Sequence, residues 1–78
     1  MSILDQIEEN FPHLARQERK IAMFVTQHPD QVQGMHIAAL AKITGVATAT
    51  VTRFVKKMGC VDYSTFKVQL ASAQGIAV

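Results

Sequence analysis

The sequence predicts an all-α fold, a compact bundle of about five helices over residues 2–11, 16–27, 36–44, 48–58 and 62–73. Three observations carry this. Apolar residues recur at i, i+3, i+4 and i+7 along most of the chain. Residues that start or stop helices fall between the periodic stretches, at Ser2, Pro12, Pro29, Gly45, Gly59 and Asp62. Apolar residues make up 49% of the chain, too many for a disordered polymer.

The 78 residues make one domain, 1–78, with a modest core. Cys60 is the only cysteine, so packing rather than disulfides must hold the fold, which suits a cytoplasmic protein. Asp5, Glu8 and Glu9 stand where a signal peptide would be basic. No apolar run reaches the roughly 20 residues that span a bilayer, and no membrane partner is expected.

Ser2 caps the first helix, with Asp5 three residues on as a variant capping box. Ile3, Leu4, Ile7 and Phe11 share a face, and Pro12 ends the helix by removing a donor and clashing with the preceding turn. The second helix carries Ile21, Phe24, Val25 and His28 along one face, with Glu18 placed favourably at the positive end of its dipole. Its cap position is Ala15, which has no side-chain oxygen, so this start is expected to fray or to be capped by other means. His28-Pro29 closes it. Residues 30–34 have room for little more than one turn, with Val32 and Met35 pinning the connector to the core. The third helix buries Ile37, Leu40 and Ala41. Asp62 caps the last helix, which buries Tyr63, Phe66, Leu70 and Ala73 and exposes Lys67; Gly75 to Val78 form a frayed end.

Residues 37–59 organise the chain. Small Ala41 lets two helices approach, Gly45 supplies a turn with positive φ, and Val46 packs back between them. With Val51 six residues after Gly45, this is the spacing of a helix-turn-helix. At about 100° per residue, Val51, Phe54, Val55 and Met58 fall within roughly 100° of arc on the fourth helix. The opposite side carries Thr48, Ala49, Thr52, Arg53 and Lys56, with Thr50 and Lys57 at its edges. Small or hydroxyl side chains near the start and cations further on suit a helix that meets base edges first and phosphates later.

Charge agrees. Residues 1–30 set three cations against five carboxylates, a net −2, whereas residues 31–78 set five cations against Asp62 alone, a net +4. No acidic residue lies between Asp30 and Asp62. Such asymmetry points to a polyanionic partner, with a lysine-rich solvated face as the plainer alternative. Catalytic and metal chemistry find little support. His13, His28 and His36 lie in separate elements, the four glycines are scattered rather than forming a phosphate loop, and adjacent Glu8 and Glu9 point apart on a helix. No cofactor and no enzymatic activity are expected.

Glu18-Arg19-Lys20-Ile21-Ala22, His28-Pro29, Ile37 to Ala41, Gly45-Val46, Ala49-Thr50-Val51, Arg53-Phe54, Lys57-Met58-Gly59 and Tyr63 to Lys67 together carry a family likeness. Over roughly residues 1–72 the chain resembles the N-terminal domain of RpiR-family bacterial transcription regulators. The resemblance implies a helix-turn-helix that binds double-stranded operator DNA, acting as a homodimer in the control of sugar or amino-sugar metabolism. It also implies a C-terminal sugar-isomerase-type domain that senses a phosphosugar; the chain has no room for one and is expected to be a fragment ending at the domain boundary. Ala15 and Ala47 depart from the Ser or Thr that the family usually places at both helix starts.

On this reading Arg53 is the leading base or phosphate contact. Thr48, Ala49, Thr50 and Thr52 read groove edges, and Lys42, Lys56, Lys57 and Lys67 neutralise phosphates. A protein-interaction or dimerisation module on a helix-turn-helix scaffold is the competing function. RNA binding is disfavoured, because the few aromatics occupy buried-type positions and leave no stacking platform.

Overall fold

The computed structural model describes residues 2–73, so the expected frayed end at Gly75 to Val78 lies outside the described residues. Six α-helices and one 3₁₀ turn follow in order: α1 (Ile3–Asn10), the turn Phe11–His13, α2 (Arg16–Gln27), α3 (Pro29–Gln33), α4 (Ile37–Thr44), α5 (Thr48–Lys57) and α6 (Tyr63–Ala73). The fold is all-α, with no strand among the described residues.

Local chemistry explains most boundaries. Ser2 and Asp5 form the expected capping box at α1: Asp5 N–H donates to Ser2 Oγ at 3.2 Å, and Ser2 N–H to Asp5 Oδ2 at 3.2 Å. Pro12 does more than stop α1. It sits in the first turn of the 3₁₀ segment, where its missing donor costs nothing, and the chain then runs extended through buried Leu14. The connector after Pro29 winds into the five-residue α3, with Val32 fully buried and Met35 against the core. This short helix and the 3₁₀ turn are why five expected elements become seven.

α4 and α5 end alike. Gly45 and Gly59 adopt φ of +75° and +83°. At each, the next N–H reaches back a full turn, Val46 to the Ala41 carbonyl at 2.9 Å and Cys60 to Val55 at 3.0 Å, while the glycine N–H bonds Lys42 or Lys56. These are Schellman caps, and the left-handed residue they need is cheap only for glycine.

The core lies where α2, α4, α5 and α6 meet. Val51, Phe54, Val55 and Met58, the predicted stripe of α5, are all buried, against Ile21, Ala22 and Val25 of α2 and Leu40 and Ala41 of α4. Each of the Val, Leu, Ile, Phe and Met side chains among them contributes about 1.5–3 kcal/mol by leaving water. Phe54 meets Phe66 of α6 edge to face, ring centroids 5.8 Å apart. α6 packs on α1, α3 and α5, and Tyr63 ties its start to the α3–α4 loop by donating to the Met35 carbonyl at 2.9 Å. Burial pushes the Tyr63 hydroxyl pKa up to about 12. Cys60 is a buried free thiol whose pKa is raised by burial and by the Asp62 charge.

Candidate nucleic-acid interface

α5 is presented by two supports. Its apolar stripe lies on α2 and α4, and the Gly45 turn sets its direction relative to α4. Its cap position is Ala47, in extended backbone (φ −78°, ψ 153°) with no side-chain hydrogen bond, and the helix begins at Thr48. Thr48 therefore serves as the first helical residue rather than as the cap.

The structure divides the nine sequence-predicted residues. Thr48, Ala49, Arg53 and Lys56 are exposed on the outer side of α5, Thr52 is half-buried beside them, and Lys42 is exposed in the last turn of α4. Thr50 is turned inward, only 6% exposed, and its hydroxyl accepts a hydrogen bond from Arg53 Nη2 at 3.2 Å. It thus anchors Arg53 instead of joining the outer row. Lys57 is half-exposed, and its ammonium is bonded to Glu18 Oε1 at 2.8 Å. Lys67, expected to be exposed, is half-buried. Its Nζ donates to the Met35 carbonyl at 3.3 Å and lies 5.1 Å from the Tyr63 ring centroid, because α6 lays its first turns along the α3–α4 loop.

A groove of about 530 Å³ flanks the outer row, lined by Thr52 and Lys56 of α5, His36 and Ile37 at the start of α4, and Val61 to Ser64 and Lys67 near the start of α6. Asp62 lines it too, but its carboxylate is engaged: the backbone N–H of Thr65 donates to Oδ1 at 2.8 Å, which with the Thr65 hydroxyl holds its pKa below the usual range.

Glu18 is the residue that sequence reasoning undervalued. It is one of two buried polar residues, with Thr50, among the described residues. Its Oε1 accepts both the Ala15 N–H at 2.8 Å and the Lys57 ammonium. Burial by itself raises the pKa of this carboxyl, but the hydrogen bonds from Lys57 and Ala15 and the attraction of Lys57 and Arg53 outweigh it, so the pKa lies below the ordinary value. Its position three residues after Ala15 was the available signal, half of a capping box; the pairing with Lys57 across 39 positions left none.

Among the described residues no three His, Cys, Asp or Glu side chains gather as a metal site, and no helix is long and apolar enough to cross a membrane.

The comparisons agree with this geometry. The family described as "Helix-turn-helix domain, rpiR family" matches residues 1–75. The chain is 38% identical over 72 residues to the HTH-type transcriptional regulator HexR of Pseudomonas aeruginosa, covering 92% of this chain and 25% of that protein. It is 34% identical over 73 residues to HexR of Escherichia coli, covering 94% and 25%. The "Bifunctional protein glk" of Paraburkholderia xenovorans is 30% identical over 71 residues, covering 91% of this chain and 11% of that protein. The chain thus spans about a quarter of the length of the HexR proteins. With its left-handed Gly45 turn, buried α4–α5 seam and matching sequence, the chain belongs to the rpiR family of helix-turn-helix domains.

Proposed function

We propose that this domain binds operator DNA for a bacterial transcription regulator, with α5 in the major groove. The carrying observation is the two-sided character of α5. Its inner stripe is fully buried, while its outer row offers Thr48, Ala49, Arg53 and Lys56 in a stretch with no acidic residue between Asp30 and Asp62. On this reading Ala49, in the first turn, meets a thymine methyl, and Arg53, in the middle of the helix, meets a guanine or a phosphate. Lys42 and Lys56 neutralise phosphates.

The domain acts by binding, not catalysis, in the cytoplasm, and as a homodimer on a two-fold-related site. Control of sugar or amino-sugar genes through a phosphosugar-sensing domain elsewhere in the protein rests on the family resemblance.

Mobility shift at low salt followed by selection from a random duplex library tests this, giving operator sequence and half-site spacing together. With about three phosphates neutralised per domain, log K falls against log salt with a slope near −2.7. Arg53→Ala costs roughly 1–3 kcal/mol of binding if the contact to a base is bidentate. Unchanged binding by that variant, with its helical signal intact, removes Arg53 from the interface. No retardation at roughly tens of micromolar, where non-specific binding already shows, favours the protein-interaction module instead.

A further inference from the structure

The geometry points to Glu18 as a positioning residue that clamps the C-terminal end of the recognition helix and withholds Lys57 from DNA phosphates. This rests on the DNA-binding reading above. Lys57 is the last residue of α5, and its ammonium is directed to the start of α2, where Glu18 Oε1 receives it at 2.8 Å. The two partners are unequal: the Glu18 side chain is 5% exposed and the Lys57 side chain 49%. The carboxylate is the fixed end, because it also holds the Ala15 N–H at 2.8 Å and so cannot leave without uncapping α2. The lysine is the end that would have to move.

A cation already neutralised by a buried carboxylate releases no counterion on approaching DNA unless it first gives up that partner. Arg53 stands one turn earlier on α5 and feels the Glu18 charge more weakly; its guanidinium is hydrogen-bonded to Thr50 and remains exposed. The working cations of the domain are then Arg53, Lys56 and Lys42. Glu18 sets their number by holding Lys57 at the end of α5.

The test is the salt dependence of duplex binding by wild type, Glu18→Gln, Lys57→Met and the double variant. Glutamine retains an oxygen for the Ala15 N–H, and methionine retains most of the aliphatic stem, so both variants should fold; circular dichroism checks this. The expected result is a wild-type slope for Lys57→Met and a slope steeper by about 0.9 for Glu18→Gln. That is about a 3.5-fold greater loss of affinity between roughly 50 and 200 mM salt. The double variant returns to the wild-type slope. A Lys57→Met slope flatter by about 0.9 would show Lys57 on a phosphate and overturn the inference; an unchanged Glu18→Gln slope would remove Glu18 from the role. Wild-type protein that shifts no duplex overturns the DNA-binding reading itself, an outcome distinct from bound complexes whose slopes fall in the wrong order.

Discussion

α2 and α5 both follow an alanine at the cap position and end up with opposite starts. Ala15 and Ala47 both hold extended cap backbone, at φ −67°, ψ 160° and φ −78°, ψ 153°, and neither has a side-chain oxygen. Three residues on, α2 has Glu18, which reaches back to the Ala15 N–H. At the equivalent place α5 has Thr50, whose hydroxyl is too short for that reach and instead accepts from Arg53. The start of α2 is therefore closed by half a capping box and an ion pair, whereas the start of α5 stays open beside the exposed Thr48 and Ala49. The difference separates two duties. The closed start holds the bundle together, and the open one faces the proposed partner without a carboxylate to repel it.

Substitutions can break or narrow this contrast. The largest effect is expected from Glu18→Ala, which uncaps α2 and strips Lys57 of its partner at once. It should cost about 2 kcal/mol, lowering the melting temperature by roughly 10 °C in a domain this size. A melting point within a degree or two of wild type would mean that the closed start contributes little. Ala47→Ser works in the other direction, supplying the missing acceptor at α5 and raising stability by about 1 kcal/mol in denaturant titration. If stability does not rise, Ala47 N-cap geometry is not what leaves that start open. Lys57→Met should cost only about 0.5 kcal/mol, because half of the lysine is in water and an exposed partner contributes little.

The smallest effect is one of pH. The folded pKa of Glu18 lies below its ordinary value of 4.5, so the ionised form stabilises the fold. That contribution is present above the unfolded pKa and is lost as pH falls through the lower, folded one. Thermal melts of wild type and Glu18→Gln should therefore converge as the solution is acidified below about pH 4.5. Melts that stay equally separated down the acid limb would show that the Glu18 charge plays no part. α5 has no acidic residue in its first turn and contributes nothing comparable.

Much of the bundle was legible because its signals are short-range. The Ser2–Asp5 box, the His28-Pro29 stop of α2, the glycine stops of α4 and α5 and the Asp62 cap all act within about four residues, and each lies where the spacing places it. The Val51, Phe54, Val55 and Met58 stripe is likewise a property of one helix, and it is buried as its angles require. Cations were harder to read. Lys42 and Lys56 point outward as expected, yet Lys57 and Lys67 look the same in sequence and are held by Glu18 and by the Met35 carbonyl, 39 and 32 positions away. Thr50 sits on the edge of the helix wheel, where a small rotation of the packed helix decides between surface and core.

The helices, their punctuation, the helix-turn-helix spacing and the surplus of positive charge after Asp30 are thus written in the order of residues along the chain. These depend on backbone bonding and side-chain periodicity over one or two turns. Which cations remain free and which threonine is buried came instead from the way the helices pack. Lys57 and Lys67 are held by single contacts of about 3 Å to groups that share no local spacing rule with them, brought together when α2 packs on α5 and α6 on the α3–α4 loop, and the same packing turns Thr50 inward.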